Sequence, residues 1–435
     1  TILNWYIVSA RLRKYTIVAG NSLTIPSFFK NRYRDHKNII KIVSASIIAV
    51  FFTVYTASAF SSGAKLFATL FSDSASGDEN YNRVYVIGLI VAAVVILVYT
   101  FMGGFKAVCT TDLIQGLMMI VAILTVPVLA YAILTFDTSF SSALAAKGVE
   151  QPAQFLNFFV NGDGTPVSAV SIISNLAWGL GYFGMPHILV RFMAVKSNEE
   201  IKKSRKIAVV WVIISLTASC LIGLIARGYL TAQLDDATSE SVFIRTIQQL
   251  FSGNGVLIFI GGIFLCGILA AIMSTADSQL LVTASAVSED LYKGAVKKNA
   301  SEKSSLLVGK IAVAVVAVIA FFIALNPKSS IMGLVSDAWA GFGSAFGPVV
   351  LLALFWKRST LSGAISGMAT GALTVIIWDY IPLVNGQTLY AATNLYSLVV
   401  GFGLALIVNV IVSLLSKKPS KEITDEFDSI KNIEV

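Results

Sequence analysis

The chain has 435 residues, of which 56% are hydrophobic and 13% charged, and its mean hydropathy is +0.78. A soluble globular domain of this size does not carry so large an apolar fraction. The formal charge of +8 does not indicate a nucleic-acid partner, because the basic residues lie in short loops between apolar runs. The composition therefore indicates an integral membrane protein.

The apolar residues form runs long enough to cross a hydrocarbon core as helices, which takes about 20 residues. The runs lack the alternation that is typical of membrane barrels, so we predict an all-α fold. The opening segment, TILNWYIVSARLR, reads as the end of a helix that begins upstream of the chain. We then predict ten helices, at about 39–72, 84–103, 107–135, 168–194, 207–231, 255–286, 305–325, 331–356, 361–382 and 393–416.

Basic and acidic loops alternate along the chain. The loop after the opening segment is rich in Lys and Arg, whereas the loop at 72–80 is acidic, and the later loops continue this alternation. Loops rich in Lys and Arg stay in the cytoplasm. We therefore predict one transmembrane domain over residues 1–416, followed by a charged cytoplasmic tail over residues 417–435.

The fourth predicted helix contains the sequence WGLGYFGMPH at 178–187, with three glycines and Pro186 close together. Proline removes a backbone donor and glycine loosens a helix, so this segment is predicted to unwind. Broken helices at membrane depth are typical of transporter binding sites. A kinked packing helix is the plainer interpretation, since Gly and Pro are frequent in membrane helices.

The sixth predicted helix carries a polar run, AAIMSTADSQ, at 270–279. The hydroxyls of Ser274 and Thr275, with the Ala271 carbonyl one turn earlier if a bend in the helix exposes it, supply uncharged oxygens that suit a monovalent cation. The alternative is that both hydroxyls bond back to the preceding turn. Asp277 beside them favours cation binding over back-bonding, because a carboxylate inside a membrane is energetically costly and usually has a function.

Asp112, in CTTDLIQG, is a second acid close to the cytoplasmic start of a predicted helix. It either pairs electrostatically with a cation held by Asp277 and Ser278 or favours the helix dipole as an N-terminal carboxylate. Lys65 and Arg227 lie near predicted helix ends, where snorkelling explains them.

Three motifs, WGLGYFGMPHILVRFMA, LAAIMSTADSQLLVTASAVSEDLY and AWAGFGSAFGPVVL, resemble the solute:sodium symporter family, most closely its sodium/proline branch. NSLTIPSFF, FFTVYTASAF, YTFMGGFKAV and TTDLIQ extend the resemblance to about residue 416. It implies the leucine-transporter fold, which has two inverted repeats of five helices with one further helix before them and two after. On that template the first two to three helices, including the first broken helix, are absent from this chain.

The resemblance also implies a set of binding residues. Its sodium site corresponds to Ala271, Ser274 and Thr275, and its proline pocket to Tyr55, Trp178, Tyr182 and Pro186. Asp112, Asp277 and Ser278 correspond to a candidate second sodium or coupling site, in which Asp277 stands where a hydroxyl residue can stand in the family.

The sequence thus predicts a secondary active transporter of the plasma membrane that couples sodium influx to uptake of L-proline. We expect sodium as the coupled ion, the lipid bilayer as its surroundings and no nucleic-acid partner. We expect no enzymatic activity, because His36 and His187 form no base and nucleophile arrangement with other residues. The alternatives are a symporter for a sugar, sialic acid or pantothenate, a membrane sensor with the same fold, and a channel. The sequence makes no prediction about oligomeric state.

Overall fold

The computed structural model describes residues 1–72, 78–102, 105–161, 164–236, 238–297, 299–327 and 330–430. Part of the acidic loop at 72–80 and the last five residues of the predicted tail lie outside these ranges. The described residues form helices and one two-stranded antiparallel hairpin.

The helices are α1 (Ser9–Val18), α2 (Ile25–Arg32), α3 (Ile39–Phe71), α4 (Glu79–Met102), α5 (Phe105–Asp137), α6 (Phe140–Ala146), α7 (Ala169–Gly181), α8 (Pro186–Ala194), α9 (Asn198–Tyr229), α10 (Val242–Leu250), α11 (Gly255–Ser285), α12 (Glu302–Ala324), α13 (Ile331–Phe355), α14 (Leu361–Tyr380), α15 (Leu389–Thr393), α16 (Ser397–Leu415) and α17 (Lys421–Ser429). Asn4–Val8 and Ala286–Val296 are π-helical, and Ser239–Ser241 forms a 3-10 turn. The hairpin consists of β1 (Pro382–Val384) and β2 (Gln387–Thr388).

Nine of the described helices are long and apolar enough to cross a membrane, namely α3, α4, α5, α9, α11, α12, α13, α14 and α16. The remaining predicted helix, the fourth at 168–194, is present as the pair α7 and α8. Hydroxyl side chains define several helix starts, since Ser168, Ser301, Ser330 and Thr360 each accept a hydrogen bond from a first-turn N–H. The predicted all-α membrane architecture is confirmed.

Burial separates central from peripheral helices. Most of α13 is buried, including Trp339 and Phe342, and it packs between α3, α14 and α16. In contrast, α9 leaves Ile207, Ile213 and Leu216 more than half exposed on the outside of the bundle. An apolar outer surface is what lipid requires, because acyl chains offer no hydrogen bonds. The central position of α13 places it against α7 and the break that follows α7.

The chain reverses direction between successive long helices, so alternate helix ends lie on the same side. We call the side where α3 begins and α16 ends the basic end, because it carries the loop with Lys30 and Arg34. The helix α17 docks there. Its Phe427 is 6% exposed, lies 6.2 Å from the Tyr15 ring and sits under the Arg32 guanidinium. The described part of the charged tail is therefore anchored to the bundle.

Candidate functional site

The interruption between α7 and α8 comprises residues 182–185. The helix α7 ends at Gly181, and α8 begins at Pro186. Proline suits the first turn, because the N–H that it lacks would have no intrahelical acceptor there. The Tyr182 carbonyl accepts a hydrogen bond from Asn4 Nδ2 at 2.8 Å, which replaces a bond of the helical ladder. The prediction that this membrane helix is broken is confirmed.

Two glycines bring the break into direct contact with α13. A Cβ atom on Gly181 would lie 2.0 Å from Trp339 Nε1, and one on Gly184 would lie 2.3 Å from the Phe342 carbonyl oxygen. Neither separation is compatible with a side chain. A Cβ atom on Gly179, two residues before Gly181, would meet nothing within 4 Å. The positions of the glycines therefore decide how closely the broken segment approaches the core.

Four aromatic residues, Trp178, Tyr182, Trp339 and Tyr396, form a cluster that we call the aromatic seam. Trp178 stacks on Tyr396 with ring centroids 5.5 Å apart, and its ring centroid lies 5.9 Å from that of Trp339. Tyr182 meets Trp339 edge-on at 4.9 Å. The Trp339 indole N–H donates to the Trp178 carbonyl at 2.9 Å, so the buried polar atom is satisfied. The seam ties α7 to α13.

One cavity lies on the side of the seam opposite the basic end. This outer cavity has a volume of about 440 Å³ and is lined by Trp178 and Tyr396 of the seam. Two carboxylates, Asp337 and Asp379, also line it, and the Tyr380 hydroxyl donates to Asp337. The outer cavity is thus polar, acidic and partly aromatic.

A second cavity opens at the basic end. This inner cavity has a volume of about 500 Å³, and its walls include Pro186 and His187 at the start of α8. Arg191 from α8, Ser278 from α11 and Arg13 from α1 also line it. The broken helix therefore contributes one end to each of two cavities on opposite sides of the bundle.

The four predicted substrate residues do not line a single cavity. Trp178 lines the outer cavity and Pro186 lines the inner cavity. Among the described residues that line these two cavities, Tyr55 and Tyr182 do not occur. Tyr182 belongs to the aromatic seam, and the half-buried Tyr55 has its ring centroid 6.4 Å from that of His187. The structure thus distributes these residues along the break.

The three predicted sodium ligands meet at one point of α11. Ser274 Oγ donates to the Ala271 carbonyl at 3.2 Å, and Thr275 Oγ1 donates to the same oxygen at 3.0 Å. The helix runs without a break from Gly255 to Ser285. The hydroxyls therefore adopt the back-bonded arrangement that the sequence left as an alternative, and all three oxygens cluster within one turn.

The residues of the candidate second site also meet, and Arg191 joins them. Arg191 Nη2 donates to Asp112 Oδ2 at 2.6 Å and to Ser278 Oγ at 2.9 Å, and Ser278 Oγ lies 3.4 Å from Asp112 Oδ2. Asp277 is fully buried beside Ser278. Asp112 lies beyond the first turn of α5, so its interpretation as an N-terminal dipole carboxylate is wrong, and its partner is Arg191.

Sequence reasoning missed two residues of these sites, Arg191 and Trp339. Arg191 follows the Gly and Pro segment inside an apolar run, and a charge at that depth is a signal of function. Trp339 gave no comparable signal, because its contact with Trp178 joins residues 161 positions apart.

The sequence was also compared with known proteins. The model of the sodium:solute symporter family matches residues 1–371. The curated relatives include sodium/proline symporter 2 of Staphylococcus saprophyticus and the sodium/proline symporter of Staphylococcus aureus. Each is 42% identical over 99% of this chain and 80% of its own length.

A solved structure has the same fold. It is a Na+-coupled sialic acid symporter in a substrate-bound outward-open state, which matches with a TM-score of 0.66 over 97% of this chain and 88% of that one, at 17% identity. The predicted leucine-transporter-like fold is confirmed. Taken with the family match and the 42% identity of the relatives, these findings establish that the chain belongs to the sodium:solute symporter family.

Proposed function

We propose that the protein couples the inward movement of sodium to the uptake of L-proline by alternating access. The observation that carries transport is the broken helix, whose two ends open into cavities on opposite sides of the bundle. The identity of the solute rests on the relatives named as sodium/proline symporters. The proposed location is the plasma membrane, with residues 1–416 as one transmembrane domain and residues 417–435 in the cytoplasm.

The proposed proline site is the region of the break, with Tyr55, Trp178, Tyr182 and Pro186 as contacts. Apolar and aromatic walls suit a pyrrolidine ring. The proline carboxylate would meet backbone N–H groups at the start of α8, where the helix dipole is positive. Since these residues follow the break from the outer cavity to the inner one, movement of α7 and α8 against α13 would expose the site to one side at a time.

The proposed sodium site consists of Ala271, Ser274 and Thr275, completed by oxygens from another helix. In the structure both hydroxyls donate to the Ala271 carbonyl, at 3.2 and 3.0 Å, so the three oxygens lie together within one turn. Binding of an ion there would exchange these back-bonds for contacts of the three oxygens with the cation. Uncharged oxygens favour a monovalent ion over calcium.

Asp112, Asp277 and Ser278 are the proposed second sodium or coupling site. Coupling is then a difference in binding free energy between the outward and inward states. A negative potential inside favours sodium entry by about 2.3 kcal/mol per charge at 100 mV. The proposed ligands are therefore sodium and proline, and the surroundings are the bilayer.

The test is uptake of labelled proline into proteoliposomes that contain the purified transporter. We expect accumulation only when sodium outside exceeds sodium inside, and no accumulation with a potassium or choline gradient of the same size. Unlabelled proline, sialic acid, pantothenate and glucose are then added as competitors. Proline should inhibit at the lowest concentration. Uptake that ignores the sodium gradient would contradict the coupling, and stronger inhibition by another solute would replace proline as the substrate.

A further inference from the structure

The cluster on the wall of the inner cavity joins three helices. Asp112 lies on α5, Arg191 on α8, and Asp277 with Ser278 on α11. A single guanidinium nitrogen, Nη2 of Arg191, is within hydrogen-bond distance of both Asp112 Oδ2 and Ser278 Oγ, at 2.6 and 2.9 Å. Arg191 thus forms hydrogen bonds with a carboxylate oxygen and a hydroxyl oxygen that would otherwise be available to coordinate an alkali ion.

The cluster has more carboxylate oxygens than cationic groups. Asp277 has an exposed fraction of 0%, and the groups that stabilise its charge are the Ser278 backbone N–H, the Tyr99 hydroxyl and, more weakly, Arg191. Asp112 Oδ1 has no hydrogen-bond partner among the described residues. Burial of a carboxylate without a nearby cation is unfavourable. With two carboxylates and one guanidinium, the cluster is therefore a place for positive charge.

The Arg191 side chain reaches this cluster from the wall of the inner cavity. It is 43% exposed and lies on the wall of the inner cavity, whereas the Asp112 side chain is only 19% exposed. Arg191 belongs to α8, directly after the break, while both acids belong to long continuous helices. The guanidinium is therefore supplied by a helix other than the two that carry the carboxylates.

We propose that Arg191 is an internal cation that occupies the second sodium site and competes with sodium for Asp112 Oδ2 and Ser278 Oγ. Arg191 limits the cycle to one coupled sodium ion, because a guanidinium and an alkali ion cannot share these two oxygens. The inference rests on the proposed function of the second site, since it specifies which cation that site holds. It assigns to Arg191 the role of setting ion stoichiometry.

The test compares the wild type with Arg191→Gln, which keeps a polar side chain but removes the charge. The first measurement is equilibrium binding of radioactive sodium to purified protein without any solute. The wild type should bind one sodium ion per chain and the variant two. The double variant R191Q/D112N should return to one, because the second site then lacks its carboxylate. The matched control is Arg205→Gln, which removes a guanidinium that lies 4.1 Å from the Tyr6 ring centroid, outside the cluster.

The second measurement is the reversal potential of solute-coupled current in proteoliposomes. A coupling ratio that rises from one to two sodium ions per solute in R191Q supports the proposal, whereas an arginine that only holds α8 to α5 would leave the ratio at one. An unchanged ratio and an unchanged number of bound ions in R191Q, or two bound ions in the wild type, overturn it.

If R191Q does not fold, R191K takes its place. The lysine ammonium is more strongly hydrated than a guanidinium and makes a single-point contact, so it should compete less strongly with sodium. The sodium affinity of the second site should therefore be about threefold higher in R191K than in the wild type. An unchanged affinity overturns the proposal. The number of sodium ions bound per chain is measured without solute, so it tests the role of Arg191 even if the protein does not transport proline.

Discussion

The break between α7 and α8 and the polar face of α11 lie in one bundle but depend on different interactions. At the break, glycine contacts and the aromatic seam fix the position of the backbone, and no ion pair joins the described residues 182–185 to α13. On α11, hydroxyls and carboxylates with few donors dominate. The first region is specified by shape and the second by charge. Changes in shape should therefore act on transport and solute binding, and changes in polar atoms should act on sodium.

The largest effect is expected from Gly184→Ala. The new Cβ atom would lie 2.3 Å from the Phe342 carbonyl oxygen and 2.9 Å from Gly343 Cα, and backbone atoms of a central helix cannot move aside cheaply. Overpacking of this kind typically costs about 1–3 kcal/mol. We expect proline uptake per transporter to fall below about 1% of the wild-type rate, since the break must also move during the cycle.

The control is Gly179→Ala, whose Cβ atom would meet nothing within 4 Å. Alanine inside a helix is favoured over glycine by about 1 kcal/mol, so this variant should be at least as stable as the wild type. Uptake and the midpoint of thermal unfolding in detergent are measured for both variants. Equal activity of the two would show that shape does not govern the break.

The second effect concerns the polar face, through Thr275→Ala and its control Thr283→Ala. Both hydroxyls bond back along α11, Thr275 to Ala271 at 3.0 Å and Thr283 to Gln279 at 2.8 Å. The two changes therefore remove the same kind of hydrogen bond, but only Thr275 is a proposed sodium ligand. We expect the sodium concentration for half-maximal uptake to rise at least about tenfold in Thr275→Ala, equivalent to about 1.4 kcal/mol. In Thr283→Ala it should change less than about twofold, and equal shifts would remove Thr275 from the site.

A third change tests whether the two regions are independent. Trp178→Ala removes the stacking on Tyr396 and a wall of the outer cavity. Aromatic pairs contribute about 0.5–1.5 kcal/mol beyond the area that they bury, so the KM for proline should rise about three- to tenfold. Sodium dependence at saturating proline should stay within about twofold of the wild type.

The control for Trp178 is Trp378→Ala, because the Trp378 indole N–H donates to the Leu395 carbonyl at 3.0 Å outside the seam. We expect a KM close to that of the wild type. If Trp178→Ala changes sodium dependence as much as the KM, the seam and the polar face form one site, and the division between shape and charge fails.

The two regions also differ in how far the sequence predicts them. Hydropathy identified the long helices, and the cluster of Gly and Pro at 178–187 located the break, because both signals depend on local chemistry. The approach of Gly184 to Phe342 could not be predicted, since it joins residues far apart in the chain. On α11 the polar run was visible, but the direction of the hydroxyls of Ser274 and Thr275 depends on rotamers that hydropathy does not determine.

The pairing of Asp112 with Arg191 shows the same limit for charge. The two residues are 79 positions apart, and neither sequence neighbourhood points to the other residue. A carboxylate near a helix start suits the dipole, and an arginine inside an apolar run signals a function without identifying its partner. Only the packing of α5 and α8 against α11 brings the opposite charges together. The sequence was therefore sufficient to predict the helices that carry these charges, whereas the ion pair between them could be identified only from the structure.

The smallest effect comes from a charged contact at the outer end of the shape-defined region. Glu240 joins α3 to the start of α13, since it accepts hydrogen bonds from Lys65 Nζ at 2.6 Å, Ser330 Oγ at 2.9 Å and the Met332 N–H at 3.1 Å. Burial alone would raise the pKa of Glu240, but the bond from Lys65 and the other donors outweigh it and lower the pKa below its usual value.

A carboxylate with a lowered pKa in the folded state contributes stability above its unfolded pKa of about 4.3 and loses it as the pH falls through the folded value. Glu240→Gln should therefore lower the thermal unfolding midpoint at pH 7 by about 1 °C, equivalent to about 0.5 kcal/mol after solvent screening. The difference from the wild type should shrink as the pH falls below about 4.3 and vanish below the lowered folded pKa of Glu240. Glu150→Gln, at an exposed loop position, is the control and should leave the midpoint unchanged at both pH values. If the midpoint difference for Glu240→Gln persists at low pH, the hydrogen bonds of the Glu240 side chain stabilise the position of α13 and its negative charge does not.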